Sequence, residues 1–121
     1  MKKMFLTILF IFTIMPNVFA MSYDQASSQG KPVVLYFYMK GCRGCANFKP
    51  IFDALSSKYS SKFAFADEDL RKTNMPLRAK VNAVPRVYIV EPLKKTAAKI
   101  TNECVFNSSC MEQTLDKYPQ K

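Results

Sequence analysis

The sequence predicts an α/β fold with a central mixed four-stranded sheet flanked by helices. Four observations carry that prediction. The run VVLYFY (Val33 to Tyr38) is continuously apolar, β-branched and aromatic, which suits a strand covered on both faces. After it, Cys45, Phe48, Phe52, Leu55 and Tyr59 recur at steps of three and four, marking one face of a helix. KFAFA (Lys62 to Ala66) then alternates as a second strand, and strand, helix and strand at this distance form a right-handed unit with a parallel pair. Finally, RVYIV (Arg86 to Val90) and TAAKI (Thr96 to Ile100) flank the turn EPLKK as a hairpin, which adds antiparallel pairing.

Residues 1–20 stand apart from this domain. Lys2 and Lys3 precede an apolar run from Met4 to Met15; Pro16 and Asn17 break it, and Val18 and Ala20 place small residues where a signal peptidase reads. The segment reads as a secretory signal peptide cut after Ala20, leaving residues 21–121 as one domain. The competing reading is an uncleaved anchor through residues 4–21 with the domain facing outward, because no charge follows until Asp24. Against it, Pro16 and an apolar core of roughly a dozen residues fall short of the ~20 that a spanning helix needs. The expected compartment is a bacterial periplasm or the outer face of the membrane.

Taken in order, SYDQASSQGKP opens the domain as a short helix closed by Gly30, with Pro32 preventing continuation. VVLYFY follows, then the helix from Cys45, in which Pro50 removes a backbone donor and predicts a kink. Beyond KFAFA, the segment DEDLRKTNMPLRAKV is read as an irregular helix interrupted by Pro76. Its leading trio Asp67-Glu68-Asp69 is read as capping that helix rather than as a metal site. Val84-Pro85 leads into RVYIV, and the tail from Ser108 to Tyr118 forms a last helix with Met111 and Leu115 facing inward. Phe37, Phe48, Phe52, Phe63 and Phe65 are assigned to the core.

The net charge of +9 falls only by Lys2 and Lys3 on cleavage. Its basic residues are scattered and not interleaved with aromatics, so it reads as solubility and no nucleic-acid partner is expected. With no histidine, Ser-His and Cys-His nucleophile pairs and histidine-containing metal sites are excluded. The four cysteines, Cys42, Cys45, Cys104 and Cys110, sit in a chain expected to leave the cytoplasm, where disulfides persist. An even count there reads first as two bridges, with three connectivities open.

Alone, a CxxC pair serves redox enzymes, zinc knuckles and structural bridges alike. The placement of GCRGC sharpens it. Cys42 falls at a helix start directly after a buried strand, where free N–H groups and the helix dipole favour an anion such as a thiolate. Arg43 and Lys40 add positive charge and are expected to lower the pKa of Cys42. Cys45, one turn further in and on the apolar face, is the more shielded thiol, giving an attacking and a resolving cysteine. Zinc fits poorly because the second pair is spaced Cys104-x5-Cys110; no metal is expected. A purely structural Cys42–Cys45 bridge would close so short a loop that it stabilises weakly.

GCRGC at a strand-to-helix turn, Pro50 five residues after the second cysteine, and NAVPRVYIV further on resemble the thioredoxin family over nearly the whole domain. The resemblance implies the thioredoxin fold and a thiol–disulfide oxidoreductase that acts on protein thiols and disulfides without a cofactor. It also implies a cis Val84–Pro85 bond facing the cysteines, with Val84 and Pro85 offering backbone to an extended substrate. Three departures qualify it. Where the family carries Trp-Cys-Gly-Pro-Cys, this chain has Gly41 for the Trp and Arg43-Gly44 between the cysteines, and Tyr36 stands where the family has a buried acid. Tyr36, with an ordinary pKa near ~10, is a poor base near neutrality, so the proton of Cys45 needs water or another carboxylate. Arg43 stabilises the thiolate and makes the disulfide more oxidising.

Cys104 and Cys110 fall between the last strand and last helix and are assigned as a structural bridge, with a second redox relay as the alternative. The expected function is an exported, monomeric protein-disulfide reductase fed by a membrane thiol donor, because there is no room for the helical insert of periplasmic oxidases or the dimerisation domain of isomerases. Oxidase or isomerase direction, a non-catalytic binding module stapled by both bridges, and a metal carrier using the CxxC thiolates are the competing readings.

Overall fold

Strand β1 (Val33–Tyr38) is the axis on which the sheet is built. In a computed structural model, which describes residues 21–119, five of its six residues are buried, as an unbroken apolar run requires. Strand β2 (Ala64–Asp69) pairs parallel to β1 on one side, with Val33 opposite Ala64 and Tyr38 opposite Asp69. On its other side β3 (Arg86–Glu91) runs antiparallel, and β4 (Thr96–Ile100) closes the hairpin, giving the order β2-β1-β3-β4. The mixed four-stranded sheet is the one the sequence predicts. The expected signal peptide (1–20) and most of the alternative anchor (4–21) lie outside the described residues; among the described residues no helix is long and apolar enough to cross a membrane.

Strand alternation sorts the core into two layers. Val34, Tyr36, Phe65, Val87 and Ile89 face helix α2 (Arg43–Lys58), the short helix α3 (Asn102–Val105) and helix α4 (Ser108–Lys117). Val33, Leu35, Phe37, Ala64, Ala66, Tyr88 and Val90 face the opposite way, where α1 (Tyr23–Ser27) contributes Ala26. Helix α2 buries Cys45, Phe48, Phe52 and Leu55, with Tyr59 at its C-cap, which is the predicted face in full. Pro50 sits inside α2 as one continuous element; Pro50 and Ala46 are both exposed, so water can serve the Ala46 carbonyl that loses its donor.

Two expectations about the segment after β2 fail. The acidic trio is not a cap for a following helix: Asp67, Glu68 and Asp69 are the second half of β2, opposite Tyr36, Phe37 and Tyr38. Parallel pairing carries these poor strand formers, with their side chains at the half-buried end of the sheet. Glu68 does satisfy a free helix donor, but that of α1, accepting from the Tyr23 N–H at 2.7 Å. The second failure is at Pro76, which begins a 3-10 helix (Pro76–Lys80) instead of interrupting a longer one. A missing N–H costs nothing at a first helical position.

Helix α3 is absent from the predicted order. Thr101 caps it, accepting from the Cys104 N–H at 3.4 Å, and Asn107 caps α4 by accepting from the Cys110 N–H at 3.0 Å. The Cys104–Cys110 disulfide therefore joins two helix starts. Replacing both cysteines by alanine is expected to lower stability by about 2–3 kcal/mol, the entropy of so short a closed loop. Chemical denaturation of the two proteins side by side measures it.

Candidate active site

The chain reaches the site from β1 through a tight reversal. Gly41 takes φ +83°, a backbone conformation that favours glycine. Cys42 then stands as the N-cap of α2, half-buried, its sulfur accepting from the Cys45 N–H at 3.0 Å. In this oxidised form Cys42 and Cys45 are bonded to each other. Cys45 is only 6 % exposed and belongs to the core layer beneath, so the two sulfurs differ in access as the helix geometry implies. Lys40 and Arg43 are both exposed and flank Cys42 in the chain.

Pro85 is buried, and the Val84–Pro85 peptide bond is cis. The Val84 carbonyl lies 3.8 Å from the Cys42 sulfur, so the sequence-distant segment and the CxxC turn meet. An atom added as Cβ at Gly44 would come 3.2 Å from Pro85 Cδ and 3.5 Å from Phe106 Cζ. The lack of a side chain at Gly44 is thus what lets α2 start against Pro85. Of the residues singled out from the sequence, Cys42, Cys45, Gly44, Val84 and Pro85 come together in one place. Cys104 and Cys110 are bonded to each other at the base of α4.

Tyr36 is 2 % exposed, and its hydroxyl donates to the Cys45 carbonyl at 3.1 Å. Burial above all, then the negative charge of Asp67, pushes its pKa up to about 12. It is a tether for the first turn of α2, not a base. The neighbouring carboxyl by register is Asp67, directly opposite Tyr36 on β2; burial raises its pKa, with Lys49 opposing. The sequence reading assigned Asp67 to a helix cap, and only the strand register places it here. Phe106 is the other residue it passed over: exposed by 46 % and set against Gly44. Its place beside α2 is a tertiary fact with no signal in local pattern.

Tyr59 and Tyr118 share the elevation of Tyr36. Burial first, then a hydrogen bond to Asp116 for Tyr59 and to Glu91 for Tyr118, pushes each up to about 12. The folded values lie above the ordinary 10.0, so folding favours the neutral phenols. Their contribution is complete below about pH 10 and is lost as pH rises toward 12. Absorbance titration of phenolate is expected to show these three ionising last, in step with alkaline unfolding.

The thioredoxin family model matches residues 15–116 of the chain. Among solved structures the chain is similar to reduced Schistosoma mansoni thioredoxin pre-protein, at 22 % identity and a TM-score of 0.62, over 84 % of this chain and 95 % of that one. It is similar to Fasciola hepatica thioredoxin at 19 % identity and a TM-score of 0.57, over 74 % and 83 %. The J-Trx1 fragment of ERdj5 matches at 20 % identity and a TM-score of 0.61, over 78 % of this chain but 45 % of that one, so the chain spans under half of that fragment. No curated protein sequence matches. At these identities the likeness to solved structures is one of fold.

Proposed function

The chain belongs to the thioredoxin family, and from that premise we propose that it is an exported thiol–disulfide oxidoreductase acting on protein substrates as a reductase. The observation that carries the reading is the asymmetry of the pair. Cys42 is half-buried at the N-terminus of a 16-residue helix, beside exposed Arg43 and Lys40, while Cys45 is sealed beneath it. The helix end and the two cations favour the thiolate of Cys42.

In the reduced protein the Cys42 thiolate attacks one sulfur of a substrate disulfide. The Cys42–substrate bond forms, the substrate S–S bond breaks, and the released sulfur leaves as a thiolate that takes up a proton. Cys45 then loses its proton and attacks the Cys42 sulfur, freeing the second substrate thiolate and leaving the Cys42–Cys45 disulfide. Two electrons have passed to the substrate, and a thiol donor at the membrane returns them. An extended substrate lies along Val84 and Pro85, whose backbone faces the Cys42 sulfur. Reduction is preferred because the described elements follow one another without an inserted helical domain. The positive charge at Arg43 favours the opposite direction, oxidation of substrate thiols, as the second reading.

Expressed in its native compartment, Cys45→Ser is expected to accumulate mixed disulfides through Cys42. If no partner is trapped, a scaffold role for both bridges gains the ground that the enzyme loses. Equilibration with a glutathione series decides direction: a potential near −270 mV supports reduction, and one near −120 mV supports oxidation.

A further inference from the structure

Phe106 and Leu93 are the large apolar side chains left exposed among the described residues. Leu93, 90 % exposed, is in the β3–β4 turn, at the opposite end of the sheet from Cys42 because β3 runs antiparallel to β1. Phe106 is different: its ring tip lies 3.5 Å from where a Cβ on Gly44 would stand, the same spot that Pro85 Cδ approaches at 3.2 Å, and Gly44 separates the two cysteines in the chain. It stands where α3 ends and α4 is about to begin, in the segment closed by Cys104–Cys110. Buried Val105 on one side and the Asn107 cap on the other hold its backbone, and the Asn107 N–H donates to the Cys104 carbonyl at 2.9 Å.

An exposed aromatic ring costs hydration free energy and persists readily where something apolar comes to cover it. We propose that Phe106 is a specificity-determining residue of the exchange site, receiving an apolar side chain that flanks the substrate's reacting cysteine, and that the Cys104–Cys110 bridge positions it. This rests on the exchange reaction proposed above. The occupant is an apolar residue because the ring offers no hydrogen-bonding partner. It adjoins the cysteine because the ring tip lies against Gly44, two residues from Cys42, at the spot Pro85 approaches, while the Val84 carbonyl before Pro85 lies 3.8 Å from the Cys42 sulfur. The bridge is then part of the substrate site, since it sets the position of the loop carrying the ring.

The test uses the full chain, reduced, with two synthetic peptides. Each holds one intramolecular disulfide, and they are identical except for the residue after one cysteine, leucine or serine. Second-order rate constants are read by quenching and mass spectrometry. The native protein is expected to prefer the leucine peptide by about tenfold. Phe106→Ser is expected to bring the ratio close to one, and Phe106→Leu, which keeps an apolar side chain in the same place, to retain most of it. Replacing Cys104 and Cys110 together is expected to narrow the ratio. A native ratio of one, or a ratio that survives Phe106→Ser, overturns the assignment. Glutathione disulfide separates the two failures. If the native protein reacts with it no faster than free cysteine does, the exchange reading fails and this proposal with it; if it reacts faster while the ratio is one, only the role of Phe106 falls.

Discussion

Cys42→Ser is expected to abolish exchange, lowering the rate with a peptide disulfide by on the order of 10³-fold or more. The reason is access as well as chemistry. A serine hydroxyl does not ionise near neutrality, so the substituted side chain offers no nucleophile. The remaining thiol cannot take over, because Cys45 is 6 % exposed and packed among the buried residues under the sheet-facing side of α2. Cys45→Ser behaves differently: the first attack survives and the second step is lost, so mixed disulfide builds up. The two variants thus separate the roles that exposure assigns. A Cys42→Ser protein that forms a mixed disulfide through Cys45 at a rate near native would contradict the assignment. For Cys42→Ser global stability changes little, since the loop closed by the pair is too short to constrain the unfolded chain strongly.

Much of this site could be read from the chain because its parts are tied to element ends. Cys42 and Cys45 follow directly on an apolar strand and start a strongly periodic helix, so a local pattern places them. β1 and β4 begin and end where the sequence puts them, since both are bounded by turn-forming residues. β2 is displaced: it begins at Ala64 and runs through Asp69, because its second half is held by register with Tyr36 to Tyr38 rather than by its own propensity. The four residues of α3 are too few to show a period, and the one local sign was Thr101, a good cap three residues before Cys104. Gly41 is legible only afterwards. Where the resembled motif has Trp, this chain has a residue that readily accepts the φ of +83° found there. Phe106 and Asp67 depend on contacts between distant segments, which no window of the sequence contains.

Phe52→Ala is expected to be among the most damaging substitutions in the core, costing about 3–5 kcal/mol. Phe52 is wholly buried and is the ring through which α2 meets the sheet. Its centroid lies 5.0 Å from that of Tyr36 on β1, 5.6 Å from Phe65 on β2 and 5.8 Å from Phe48 one turn back. The geometry toward Phe65 is edge-on, an arrangement that contributes about 0.5–1.5 kcal/mol beyond area alone. Truncation removes all three contacts and leaves a void that neighbouring rings of fixed shape cannot fill. Against a total stability of about 5–15 kcal/mol for a domain of this size, that loss takes away roughly a fifth at the least. With a urea dependence of about 2 kcal/mol per molar, the unfolding midpoint is expected to fall by roughly 2 M. Phe52→Leu retains most of the apolar volume and is expected to lose less. Tyr36 links this packing to the chemistry, because the same ring that touches Phe52 carries the hydroxyl bound to the Cys45 carbonyl. Loosening Phe52 therefore loosens the first turn of α2, and with it the difference in exposure between Cys42 and Cys45. A midpoint shifted by less than about 0.5 M, at unchanged slope, would show that α2 is held to the sheet by other residues.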